Sequence, residues 1–177
     1  MKRASTLFMI LSLIFNVTYA QELNVIEARY FDKPIIQMTI NDKKAWVLLD
    51  TGSGVTILNS RVKDEFGFMI IDNSSNELNV PGFGSTENRL RRAAKARIKF
   101  GGVSLRGIIY AFDFSSITKS IQKRTGKKIS AIIGTKMMRK YGFVLDMSKG
   151  SAYMPDHNQN NRKQNNKAMN MLVLENL

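Results

Sequence analysis

Cysteine is absent from the 177-residue chain, and histidine occurs once, as His157. Without thiols there is no disulfide, no thiolate metal site, no cysteine nucleophile and no lipid-modified N-terminal cysteine. A lone histidine in a polar stretch leaves neither a Ser-His-Asp triad nor a multi-histidine zinc site to build. Acids are scarce too: 14 Asp and Glu stand against 27 Lys and Arg, a formal charge of +13, which draws the protein toward anionic surfaces. Past the N-terminus there is no long apolar run, where a spanning helix takes about 20 mainly apolar residues. Any chemistry must come from carboxylates, hydroxyls, amines or the backbone, and nothing in the sequence asks for a cofactor.

Lys2 and Arg3 precede a short apolar run from Leu7 to Val17, interrupted only by Ser12 and Asn16. Thr18-Tyr19-Ala20 then places small residues at the last and third-last positions before Gln21. This is the pattern of a secretory signal peptide cleaved after Ala20, and the run is short for a membrane anchor. Residues 1–20 are read as signal, 21–155 as one domain, and 156–177, rich in Asn, Gln, Lys and Arg, as a flexible polar tail. The mature protein is expected to be periplasmic or secreted, with no stable membrane span. Having no disulfides, it must rest on its hydrophobic core, and its length suffices, since domains commonly run about 100–150 residues.

Within the domain, Ile36, Met38 and Ile40 alternate along one face, Asn41-Asp42-Lys43-Lys44 is a turn cluster, and Ala45 to Leu49 is apolar, a β-hairpin signature. Val55 to Leu58 is strand-like, and Asn59 or Ser60 is placed to cap a short helix through Phe66. Asp72 to Asn79 reads as a loop. Ala94 to Phe100 alternates strictly and predicts one half-buried strand, with Val103 to Phe112 continuing after Gly101-Gly102. Ser116 is placed to cap a helix ending near Thr125-Gly126. Ala131-Ile132-Ile133 predicts a buried strand stopping at Gly134, followed by a helix over Lys136 to Tyr141 and a closing hairpin over Phe143 to Met154. The class is mainly β, with two or three short helices.

The strongest chemical signal is Trp46-Val47-Leu48-Leu49-Asp50-Thr51-Gly52-Ser53-Gly54-Val55-Thr56. A carboxylate at the end of an apolar strand is fixed on a rigid element, and a glycine close behind it lets another backbone approach. Nearby hydroxyls are suited to hold the carboxylate. Two such carboxylates brought together resist ionising at once, which puts an acid and a base at one spot.

These residues resemble the retropepsin-like aspartic proteases, the group of the single-lobe retroviral enzymes and of each pepsin lobe, and in particular exported bacterial members. Asp50-Thr51-Gly52 matches the catalytic motif, and Ile132-Ile133-Gly134 resembles the second marker, which in that family threads beside the catalytic loop. Asp113 to Ile117 and Lys127-Lys128 add to the likeness with exported members, and Phe143 to Met154 is similar to a lobe's closing hairpin. The resemblance spans about Ile35 to Met154 and implies a closed β-barrel-like lobe. It implies a homodimer, since one chain carries one Asp-Thr-Gly, and a polypeptide substrate hydrolysed by a water held between two Asp50 carboxylates. Thr51 would bond across the dimer, Gly52 would permit close approach and Ser53 would support the carboxylate. Val80 to Ser85 is the candidate substrate-covering flap, with Gly82, Phe83 and Gly84 at the peptide together with Ser53, Ile133 and Gly134. An ordinary surface loop is the other reading of that segment.

Other features take plainer readings. Arg89, Arg91, Arg92, Lys95, Arg97 and Lys99 form the densest basic run; alternation turns them outward, and without interleaved aromatics they predict no nucleic-acid partner. Trp46 is expected in the core, Asp146 at the start of the last turn and Asp113 before a helix cap. Met169 to Leu174 is apolar within the tail and fits an added interface strand or a flexible segment. The alternative to a protease is a peptide-binding module on the same fold that does not cut.

Overall fold

The computed structural model describes residues 25–30, 32–72, 77–82 and 85–156. Strand β1 (Val25–Arg29) comes first, then the expected hairpin of β2 (Ile35–Ile40) and β3 (Lys43–Asp50). Asn41 and Asp42, with φ of 47° and 66°, make the two-residue turn, a conformation that Asn and Asp tolerate better than other non-glycine residues. In β2, Ile36, Met38 and Ile40 are buried; in β3, Ala45, Val47 and Leu49 are buried while Trp46, Leu48 and Asp50 share the other, half-open face.

After β4 (Thr56–Asn59) come a 3-10 turn (Ser60–Val62) and helix α1 (Lys63–Phe66). Asn59 caps the turn, its side-chain oxygen accepting from the Arg61 N–H. Strand β5 (Met69–Ile71) is followed by a hairpin of β6 (Leu78–Gly82) and β7 (Ser85–Ala94), and then by β8 (Ile98–Phe100), β9 (Val103–Leu105) and β10 (Ile109–Phe112). Helix α2 (Ser115–Thr125), β11 (Ile129–Gly134), α3 (Thr135–Tyr141), β12 (Val144–Asp146) and β13 (Ser151–Pro155) complete the order. The mainly β class holds, with three short helices. Among the described residues no helix is long and apolar enough to cross a membrane.

The large sheet runs β5-β7-β10-β4-β11-β3-β2-β8-β9, with β6 on β7; a small sheet runs β1-β13-β12. Although β3 and β4 are consecutive, β11 lies between them, parallel to β3 and antiparallel to β4. Every residue of β11 is buried, and its two faces serve two clusters. Ala131 and Ile133 join the larger core with Val47, Leu49 and Leu58; Ile132 joins a smaller one with Ile57, Leu90 and Phe114. A register shift between Ile129 and Ala131 puts Ile129 on the Ile132 side, where strict alternation would not.

Val103 to Phe112 forms two strands, β9 and β10, and Leu78 and Asn79 open β6 where a loop is expected. Two further sequence expectations change. The run from Ala94 to Phe100 is not one strand: it breaks at Lys95, whose φ is 55°. The cause is Asn41, whose Nδ2 donates to the Lys95 carbonyl (2.8 Å) while its Oδ1 accepts from the Arg97 N–H (2.9 Å). Inward and outward alternation survives the break, with Ile98 and Phe100 buried and Lys95 and Arg97 exposed. The second change is at α2: Ser116 lies inside the helix, and the Asp113 carboxylate accepts from the Ser115 N–H (3.1 Å) instead.

Candidate functional site

Asp50 ends β3 on the face it shares with Trp46 and Leu48, half-exposed, with Thr51 and Gly52 fully at the surface. The turn that follows folds back on it. Gly52 donates its N–H to Asp50 Oδ1 (2.9 Å), and Ser53 donates its N–H to the Asp50 carbonyl (3.2 Å). A Cβ on Gly52 would stand 3.2 Å from that same Oδ1, so glycine keeps the approach open. The Ser53 hydroxyl, expected at the carboxylate, donates to the Val55 carbonyl (2.8 Å) and tightens the turn.

The turn is clamped from behind by the end of β11. Gly134 pairs with Asp50 in the parallel ladder, and a Cβ on Gly134 would come within 2.3 Å of the Val55 carbonyl oxygen. Thr135, the next residue, donates both its N–H (2.8 Å) and its hydroxyl (3.0 Å) to the Ser53 carbonyl. The Thr56 hydroxyl is buried beside the Gly134 N–H at 3.4 Å. The second marker therefore meets the Asp50 turn as a rigid support. Ile133, expected at the substrate, has no exposed surface and packs in the larger core; period-two alternation sends it away from the Asp50 face.

In front of Asp50 lies an open groove of about 940 Å³. Pro34, Leu48, Leu49, Ile117, Ile121, Leu145 and Met147 give it apolar walls, Ser116 and Ser120 add hydroxyls, and Lys33 and Arg124 add cations. Asp50 is the one acid among them. Helix α2 forms a wall because Ile121, with Phe114 just before the helix, is anchored in the smaller cluster. A second hollow of about 290 Å³ lies on the Val55 and Thr56 side and is also lined by Leu78, from the foot of the β6–β7 hairpin, and by Tyr110 and Met137.

The candidate flap is the end of that hairpin. Gly82 pairs with Ser85, and Asn88 Nδ2 donates to the carbonyls of Val80 (3.2 Å) and Gly82 (2.6 Å), which fixes the strand end. Gly82, at a φ of 135°, adopts a conformation closed to other residues. Phe83 and Gly84 lie outside the described residues, as do residues 1–20, His157 and Met169 to Leu174.

The other acids flagged by the sequence serve turns. Asp146 accepts from the Ser148 hydroxyl (2.7 Å) and the Lys149 N–H (3.0 Å), which together with the Lys149 charge hold its carboxyl below the usual range. Asp113 is lowered likewise, by the Ser115 hydroxyl first and then by Arg61, 2.6 Å away, and the Ser115 N–H. The basic run from Arg89 to Lys99 is a surface feature met by neighbouring acids: Arg89 pairs with Glu77, Arg91 with Asp72, and Arg97 and Lys99 both with Asp42. Trp46 is only partly buried, and Lys127 Nζ lies 4.0 Å from its ring centre. Among the described residues no three His, Cys, Asp or Glu are grouped to hold a metal ion.

Thr135, Pro34, Asn88, Leu48 and the α2 wall were not found from the sequence. Thr135 had a signal: a hydroxyl directly after the glycine, at the first position of a helix. Pro34 had one only in retrospect, as its carbonyl takes the Leu49 N–H (2.9 Å).

Comparison with protein-family models gives no match, and neither does comparison with curated protein sequences. Among solved structures, the chain is similar to the crystal structure of the retroviral protease-like domain of Ddi1 from Leishmania major. The TM-score is 0.45 and the identity 14%, over 72% of this chain and 91% of that one.

Proposed function

We propose that this chain is a retropepsin-like aspartic endopeptidase that works as a homodimer. The observation that carries the reading is the Asp50 turn: a half-exposed carboxylate at the lip of an apolar-walled groove, braced by Gly134 and Thr135 from a strand inserted between β3 and β4. A rigidly backed carboxylate facing an open groove of about 940 Å³ suits general acid–base hydrolysis. One protomer supplies one such group, so the second comes from an identical partner across a two-fold axis. One Asp50 takes a proton from a water, the resulting hydroxide attacks the peptide carbonyl, and the other Asp50 gives a proton to the leaving nitrogen. In this reading exposed Thr51 bonds across the axis and the β6–β7 hairpin covers the peptide. No metal or cofactor enters these steps.

In this reading residues 1–20 direct export and are removed after Ala20, residues 21–155 form the protease domain, and residues 156–177 lie beyond it. The mature enzyme acts in the periplasm or outside the cell. N-terminal sequencing of protein recovered from the envelope fraction should begin at Gln21.

The experiment that tests the activity is peptide cleavage by the protein and by Asp50→Asn, followed from acid to neutral pH. The substitution should lower the rate by about 10²–10⁴-fold, the usual weight of a general acid or base. Unchanged cleavage removes Asp50 from the mechanism. Peptide binding with no turnover, unaffected by statine-type transition-state mimics, makes the groove a binding module.

A further inference from the structure

We infer that the Asp50 groove selects peptides bearing an acidic side chain, which Arg124 and Lys33 recognise. This deepens the proposed function and rests on its placing of a peptide in that groove.

The walls are apolar, yet two cations stand among them, and the acid present is Asp50 itself. Among the described residues neither Lys33 nor Arg124 has a carboxylate within ion-pair distance. Arg61, Arg89, Arg91, Arg97, Lys99, Lys128 and Lys149 each have one. Asp42, Glu65, Asp72, Glu77, Asp113 and Asp146 are thus engaged elsewhere, and the groove's two cations outnumber its one acid.

The excess of cations continues past the groove. Arg124 also lines an adjoining hollow of about 560 Å³ that holds Arg29, Lys127 and Trp46, with Asp32 as its acid. A concave, partly apolar trough focuses the field of its charges more than a flat surface does. A guanidinium there suits a carboxylate, which it can bind through two parallel hydrogen bonds. Lysine or arginine on the peptide would meet like charge, so the same residues exclude basic sequences. Because Arg124 belongs to both hollows, the acid it engages sits to one side of the bond facing Asp50.

The test measures binding apart from cleavage. Full-length Asp50→Asn protein is titrated by fluorescence anisotropy with peptide pairs differing only by Glu or Gln at successive positions. At one position the Glu peptide should bind about fivefold tighter at low salt, as for a partly exposed ion pair. The gap should close as ionic strength rises from about 0.01 to 1 M. Adding Lys33→Gln and Arg124→Gln should abolish the preference, Arg124→Lys should keep its sign, and Arg124→Glu should turn it toward lysine-bearing peptides. Thermal unfolding checks that each variant is folded. Equal affinity for Glu and Gln at every position overturns the inference, as does a Glu preference that survives in the double variant. Failure of the unsubstituted protein to cleave would sink the protease reading and leave this result standing; failure to bind any peptide would sink both.

Discussion

Gly134 sits opposite Asp50 in the parallel pairing of β11 with β3, and its missing side chain is the space that the Val55 carbonyl fills. Its φ of −91° is open to any residue, so the demand for glycine is one of packing. Gly134→Ala should cost about 1–3 kcal/mol, as overpacking does, and lower the proposed cleavage by spreading the turn. Gly54 is the comparison within the same turn: a Cβ there meets nothing within 4 Å. Gly54→Ala should change stability by less than about 0.5 kcal/mol, as surface changes do. Urea unfolding of the two variants checks the contrast, and equal losses would contradict it.

Asn41 joins three segments. Its Nδ2 donates to the carbonyls of Phe66 (2.9 Å) and Lys95, and its Oδ1 accepts from Arg97. It also holds a positive φ. Asn41→Ala removes these bonds and puts a less tolerant residue in the turn, so a loss of about 2–3 kcal/mol is expected. Asn41→Gly keeps the turn geometry and should lose less. A reversed order by thermal melting would show that the positive φ at Asn41 carries no weight.

Asp113 makes acid sensitivity measurable at one place. The Ser115 hydroxyl, Arg61 and the Ser115 N–H lower its folded carboxyl pKa. A lowered folded pKa contributes stability that is complete above the unfolded value, about 3.9, and disappears as the pH falls through the lowered one. Asp113→Ala should therefore be less stable than the parent at neutral pH by at most about 1 kcal/mol, given the carboxylate's exposure to solvent. That part of the difference should fade on acidification through that window. Denaturant titrations at several pH values decide it, and a gap independent of pH would rule out the ionic origin.

The proposed shared site would make activity depend on concentration. The rate per chain should be constant while protomers are paired and fall once the protein is diluted below its dimer dissociation constant. Adding excess Asp50→Asn chain should suppress the parent by forming mixed pairs, even though total protein rises. Sedimentation run alongside gives the oligomeric state. Full activity in a strictly monomeric sample would exclude the two-carboxylate mechanism.

Local chemistry made much of this legible from sequence. The β2–β3 hairpin follows from alternation around Asn41-Asp42, and β11 from an unbroken apolar run ending in glycine. What depended on distant partners was not visible. Strand β1 has a weak signature because only Ile26 and Ala28 of Val25 to Arg29 are even partly buried, and its pairing lies with Pro155 to Ser151 at the far end of the domain. The break at Lys95 was hidden because alternation continues across it, while its cause, Asn41, sits 54 residues away. The aim of the Ser53 hydroxyl could not be read from its neighbours, since a serine beside a carboxylate can as readily close its own turn. Period two is enough to put Leu48 on the Asp50 face, a signal not used in the sequence analysis, but the wall opposite, from α2, requires the tertiary fold.

The insertion of β11 between β3 and β4 also sets a timetable for biosynthesis. The ribosome completes Asp50 and its turn early, yet the brace for that turn, Gly134 and Thr135, is not made until most of the domain exists. The pairing of Gly134 with Asp50 is long-range, the class of contact that tends to slow folding. Incomplete chains thus carry the acid without its scaffold.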